Sequence, residues 1–218
     1  MPYGRASTGD VRNGIWEPLW GGSRALVHAS AGEIVIRNDD GAPLAGYDLL
    51  RDALHEAVQA DEAVVDGYLL PAPLRDTRRV ESMGGLGSVM SAGEMRRQLI
   101  LGSGRLGGKR REEAEAAQAR RFEVPATSPT AFIAIDLLWL DGESLLDVPL
   151  AERKRLLDGV VIDGEVVRRT VSVRAPVEGW FAQWRALGFR EVAVKGANSR
   201  YTPGIAGKDW ATALIPKR

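Results

Sequence analysis

The stretch Phe132-Ile-Ala-Ile-Asp-Leu-Leu-Trp-Leu140 is apolar at nearly every position and stops at Asp141-Gly142. An edge strand with one wet face would alternate, so this run predicts a central β-strand that turns into a second one over 144–148. Around it the chain reads as single helices set between strands. Arg24 to Ala29 and Glu33 to Arg37 flank Ser30-Ala31-Gly32 as a hairpin, and Ala63 to Leu70 is a buried strand. Between Tyr47 and Gln59, Leu49, Leu50, Ala53, Leu54, Ala57 and Val58 recur on one helical face. A short helix is predicted over 150–157 and a strand over 166–173. A helix over 177–187 carries Trp180, Phe181 and Trp184 and stops at Gly188; strands over 191–195 and 209–215 follow. Strands with interspersed helices and hairpins predict an α+β fold with antiparallel sheets.

Composition narrows the chemistry. With 44% hydrophobic and 27% charged residues over 218 positions, and no apolar run of membrane-spanning length, the expectation is one soluble domain in the cytoplasm. The absence of cysteine excludes disulfides, Cys-ligated zinc and thiol catalysis, and the N-terminus shows no signal-peptide pattern. Only five of the 29 basic residues are lysines, at 109, 154, 195, 208 and 217, so residues 1–108 offer no side-chain amine. Acids and bases balance at 29 each, so any affinity for nucleic acid must be local. The segment 75–128 is the place for it. There Arg75, Arg78, Arg79, Arg96, Arg97, Arg105, Lys109, Arg110 and Arg111 are interleaved with glycines, a pattern that suits phosphate contact or a solvated surface. Its glycine runs Met83 to Gly87 and Gly102 to Gly108 do not make a phosphate loop, because Gly108-Lys109 is followed by Arg110 rather than Ser or Thr.

Glu17-Pro-Leu-Trp-Gly-Gly-Ser-Arg24, ahead of a hairpin, resembles the Glu-Pro-Lys-x-Asp-Gly-x-Arg signature of the ATP-dependent DNA ligases. Val64-Val-Asp-Gly-Tyr-Leu-Leu70 is similar to their Val-Leu-Asp-Gly-Glu-Leu-Val strand. The run 135–153, with Asp141-Gly142-Glu143 and Asp147-x-Pro-Leu-x-Glu-Arg153, matches nearly throughout. Phe189 to Lys195 resembles Leu-Glu-Gly-Val-Val-Ala-Lys, and Asn198 to Gly204 with Lys208-Asp-Trp210 follows the same family, although Thr212 and Leu214 replace two expected lysines.

The resemblance implies two antiparallel β-sheets flanked by helices around a nucleotide cleft, the DNA ligase and mRNA-capping nucleotidyltransferase type, ATP-grasp-like. It implies a single ligase-adenylation-like domain over 1–218, with 75–128 as a variable basic insert and without the C-terminal oligonucleotide-binding barrel. It also places Leu19 at the nucleophilic lysine and Gly21, Tyr68 and Arg190 at carboxylates that serve the chemistry. No catalytic residue or metal ligand is then expected, and Mg²⁺ loses its ligands. Nucleotide-binding candidates that survive are Glu17, Arg24, Asp66, Phe132, Lys195 and Lys208, with Phe132 or Ile135 near the adenine. The functions left open are non-covalent ATP binding, binding of double-stranded DNA through the basic insert, and a scaffold role toward a DNA-repair protein. An active atypical ligase is a further alternative.

Overall fold

The computed structural model describes residues 3, 11–74, 129–205 and 207–216. They fall into two compact units, one built from 11–19 and 171–216 and the other from 20–74 and 129–170. The arginines and lysine of 75–111, the glycine runs and the helices read there lie outside the described residues.

The larger unit is a six-stranded sheet. β2 (Ser23–Ser30) and β3 (Glu33–Asn38) form the expected hairpin, closed by Ala31 at φ 49° and Gly32 at φ 80°. Two successive left-handed residues match the twist of the strands they join. After α1 (Asp48–Ala57) the chain enters β4 (Glu62–Pro71), which pairs antiparallel with β2 and with β5 (Thr130–Leu140). β6 is short, only Glu143–Ser144, and after α2 (Leu150–Val160) β7 (Val167–Arg169) returns beside β5. The spatial order is β3-β2-β4-β5-β6, with β7 on β5.

β5 is central, and its lack of alternation has a cause. Val64 pairs with Trp139 and Val65 with Leu137, while Asp66 pairs with Asp136 and Gly67 with Ala134. Leu138 and Ile135 are therefore extra residues on β5, two bulges that return successive apolar side chains to buried positions. The core on one face joins Ala25, Val27, Ile36, Val65, Phe132 and Ala134 to Leu50 and Leu54 of α1 and Leu157 and Val160 of α2. Leu49 is the exception to the predicted helical face: it is 87% exposed, because Leu50, Leu54 and Ala57 already fill the stripe that α1 turns inward.

Two strand expectations are revised. The second strand of the 141–142 turn ends at Ser144, because Val148 N–H bonds back to the Leu145 carbonyl and the turn hands the chain to α2. The strand expected over 166–173 is divided. Val167–Arg169 pairs parallel with β5, a geometry made possible by the α2 crossover, whereas Val173 exchanges two backbone hydrogen bonds with Trp16 in the smaller unit. Ahead of β7, the Asp163 carboxylate accepts the Arg169 guanidinium and backbone N–H.

The smaller unit is a three-stranded antiparallel sheet, β1 (Gly14–Pro18), β8 (Glu191–Gly196) and β9 (Trp210–Leu214), ordered β1-β8-β9. One face packs on α3 (Glu178–Ala186), where Trp16 meets Phe181 edge-on with centroids 5.5 Å apart. Phe181 and Trp184 are the buried residues of α3, and Trp180 stacks at a tilt on Trp184. Among the described residues no helix is long and apolar enough to cross a membrane.

Strand alternation turns His28 of β2 away from the core, across the sheet from Val35 and Val64. Its Nε2 is buried, with no hydrogen-bond partner among the described residues. Burial and then the Arg37 charge hold its pKa below the ordinary value of about 6.5. Between that lowered value and about 6.5 the unfolded chain binds more protons, so stability is complete above this window and falls as pH drops through it. Denaturant unfolding from pH 5 to 7.5 is expected to show this slope, and His28→Gln to flatten it. An unchanged slope in the variant would assign the pH dependence elsewhere.

Candidate functional site

In the smaller unit the strand register sets a charged pair on one sheet face. Ile15 lies opposite Lys195 and Glu17 opposite Ala193, while Lys195 lies opposite Trp210 on its other side. With side chains alternating, Glu17, Lys195 and Trp210 share a face, Glu17 and Lys195 as diagonal neighbours. The Lys195 ammonium donates to Glu17 Oε2 at 2.7 Å, and Ser172 Oγ donates to Glu17 Oε1 at 2.8 Å. Lys195 is 0% and Glu17 2% exposed, so both charges have left water. Lys195 Nζ also stands 4.5 Å from the Trp210 ring centroid and 6.0 Å from that of Tyr3. The aromatic faces add to the stabilisation of the cation, and Trp210 is fixed in turn by its indole N–H donating to Ser199 Oγ at 2.9 Å. Leu19 is half-buried one residue beyond β1, its N–H donating to the Glu191 carbonyl at 3.1 Å.

The larger unit repeats the pattern. Arg24 of β2 lies opposite Tyr68 and Leu26 opposite Asp66, which makes Arg24 and Asp66 diagonal neighbours. Arg24 Nε donates to Asp66 Oδ1 at 2.7 Å and Nη2 donates to Oδ2, a two-point guanidinium–carboxylate pair. The Asp66 side chain is 0% exposed and that of Arg24 19%, with the guanidinium 5.6 Å from the centroid of the Tyr68 ring. Gly67 follows because β5 presses on it: a Cβ there would stand 2.3 Å from both the Ile133 carbonyl oxygen and Phe132 Cζ.

The structure thus brings Glu17 to Lys195 and Arg24 to Asp66. Phe132 is packed in the hydrophobic core, and Ile135 is buried as one of the bulge residues. Lys208 is exposed in the turn before β9, and Arg190 is exposed, its carbonyl accepting the Ile215 N–H. Sequence reasoning missed Ser172, Tyr3 and Trp210 as neighbours of the Glu17–Lys195 pair. It also missed a second buried pair, in which Arg153 of α2 donates through Nε and Nη2 to the Asp136 carboxylate at 2.9 and 2.8 Å, both side chains 0% exposed. A signal was present: an aspartate inside an apolar strand cannot be buried ionised without a cation, and Arg153 is the nearest arginine after it in the chain.

Nucleotide phosphates and their metal require open cations and carboxylates. As placed, these residues do not fit them: Lys195 is enclosed and engaged by Glu17, Asp66 is engaged by Arg24, and Leu19 has no polar atom in its side chain. Among the described residues no three His, Asp or Glu side chains are grouped to hold a metal ion.

Comparison with known proteins gives a consistent family. The DNA ligase of Methanoculleus marisnigri is 40% identical over 78 residues, 36% of this chain and 14% of that protein. A probable DNA ligase of Streptomyces coelicolor is 35% identical over 108 residues, 47% of this chain and 19% of that protein. The matches therefore take in less than a fifth of those relatives' length. Among solved structures, the ligase domain of LigD from M. tuberculosis superposes with a TM-score of 0.59 at 23% identity, over 97% of this chain and 56% of that one. Mycobacterial DNA ligase D complexed with ATP and MES gives 0.60 at 22%, over 97% and 58%. These likenesses establish the fold, α+β with two sheets, as that of DNA ligase nucleotidyltransferase domains. The family model of the ATP dependent DNA ligase domain matches residues 10–212, and the chain belongs to that family.

Proposed function

We propose that the chain is a catalytically degenerate DNA ligase-like domain that engages double-stranded DNA in a repair setting without adenylating itself. Leu19 carries this reading: the position that resembles the ligase nucleophile holds a side chain with no lone pair. The matched charges that survive support it, because Glu17 with Lys195 and Arg24 with Asp66 are spent on each other. ATP dependence belongs to the family; in this chain nucleotide is not required for the role proposed. The two units make one adenylation-type domain, into which 75–128 is inserted as a basic segment. The scaffold reading is less favoured, since Trp16, Trp20 and Trp180, its candidate contacts, are buried or engaged in the chain's own packing.

Binding through Arg75 to Arg111 is expected to be independent of DNA sequence and to weaken steeply with salt, because each neutralised phosphate releases counterions. Replacing Arg78, Arg79, Arg110 and Arg111 together with alanine should reduce the log–log salt slope by up to about four if all four touch phosphate. Titration of duplex DNA at several salt concentrations, with circular dichroism as the folding control, measures it. A folded variant that binds like the parent, or a parent that shows no binding at low salt, would remove DNA from the proposal.

A further inference from the structure

The formal charge of the chain is zero, but it is unevenly divided. In the larger unit, residues 20–74 and 129–170 hold 17 acids against eight lysines and arginines; in the smaller, residues 11–19, 171–205 and 207–216 hold four against seven. Each surplus has an exposed apolar side chain beside it. On the larger unit this is Leu49 of α1, 87% exposed, with Asp52 and Glu56 following on the same helix face at i+3 and i+7. Both carboxylates are exposed and have no hydrogen bond or ion pair among the described residues, whereas Asp48 is taken by Arg51. On the smaller unit the basic end is where β1 begins and β8 leaves. A Cβ on Gly196 would lie 3.7 Å from the Arg12 carbonyl oxygen and 3.5 Å from Asp209 Cβ, so Arg12 and the Lys208-Asp209 turn are close. Arg12 and Lys208 are exposed and their side chains are without partners among the described residues. Ile205, 61% exposed, lies in the same β8–β9 loop.

A single exposed leucine or isoleucine is ordinary on a protein surface. Here each exposed side chain is framed by unpaired charge, and the two frames are of opposite sign. Complementary charge steers such faces together and fixes their register, while an apolar centre supplies burial. We propose that the α1 face of one copy of this chain docks on the β8–β9 loop end of a second copy, Asp52 and Glu56 meeting Arg12 and Lys208 around Leu49 and Ile205. The two faces differ, so the contact is heterologous: each docked pair leaves one face of each kind open, and the contact can repeat from copy to copy. It needs neither DNA nor nucleotide, and it stands or falls apart from the function proposed above.

Sedimentation velocity over a concentration series tests it, with circular dichroism as the folding control. Mass above the monomer is expected in about 10 mM salt, where charges are felt over about 30 Å, and monomer alone in about 1 M, where that length is about 3 Å. Asp52→Asn with Glu56→Gln, and separately Arg12→Gln with Lys208→Gln, should each leave monomer at low salt. Mixed in equal amounts, the two variants still offer one intact face each and should form a pair and nothing larger. Leu49→Ser, which keeps every charge, should weaken the association about tenfold through lost apolar burial. Glu143→Gln with Glu165→Gln, at exposed residues of the same unit, makes the same change in net charge and should associate like the parent. A parent that stays monomeric at low salt, or a control pair as defective as the α1 pair, overturns the proposal. So does an Arg12–Lys208 variant that associates like the parent, which would give the α1 face a different occupant.

Discussion

Incubated with ATP and magnesium and then weighed intact by mass spectrometry, the chain is expected to gain no AMP. Adenylation needs a deprotonatable amine, a held metal and open cations at the phosphates. By resemblance the first is lost at Leu19 and the second at Gly21, Tyr68 and Arg190. Of the amines that survive in the matched set, Lys195 is fully buried against Glu17. Residues that act as one catalytic set are lost as a set, with deficits on the order of 10⁴- to 10⁶-fold. Leu19→Lys alone is therefore expected to leave the chain unadenylated as well. A stoichiometric AMP adduct on the parent, at any lysine, would refute the degenerate reading, and an adduct on Leu19→Lys would show that the carboxylates had been misassigned.

The largest stability effect is expected at Asp136–Arg153. Both side chains are completely buried, and Arg153 reaches the carboxylate with two donors and the Val148 carbonyl with a third. Removing one partner leaves a charge in the interior with nothing opposite it, a loss of about 3–5 kcal/mol. Against a total stability of about 5–15 kcal/mol this brings the larger unit near unfolding. Arg153→Leu and Asp136→Leu should each lower the unfolding free energy measured in urea by that amount, seen as a fall in the urea midpoint. The double variant should recover most of it, because apolar residues of similar volume replace a buried pair at little net cost. Single variants within 1 kcal/mol of the parent would mean that water reaches the pair.

What the sequence revealed divides along physical lines. β2, β3, β4, β5, β8 and β9 and all three described helices were readable because apolar period and turn residues are local signals. β1 was not read as a strand, since Trp-Glu-Pro in a five-residue stretch has no pattern of its own and its strand character comes from β8. The division of 166–173 between two sheets was equally invisible, because alternation states that a segment is extended and not which neighbour it joins. The same holds for the matched site. Motif spacing located Glu17, Arg24, Asp66 and Lys195, but only the diagonal registers β1–β8 and β2–β4 reveal that they neutralise one another. Leu49 failed because a helix of this length buries a stripe narrower than its sequence pattern offered.

The pairing of β4 with β5 also sets the order in which the larger sheet can assemble. Elements β2, β3, α1 and β4 follow one another directly, whereas β5 must find β4 across the intervening residues 72–129. In the unfolded chain the entropy of such closure grows only with the logarithm of its length, about 0.6 kcal/mol per doubling. The length of that connection is thus nearly neutral for equilibrium stability. Its burden falls on kinetics, because contacts of high sequence separation form late. Until β5 arrives, the edge of β4 that faces it, from Ala63 to Leu70, is unpaired, and an open apolar edge is prone to capture by another chain. The newborn protein is therefore most vulnerable to aggregation while residues 72–129 are still being synthesised.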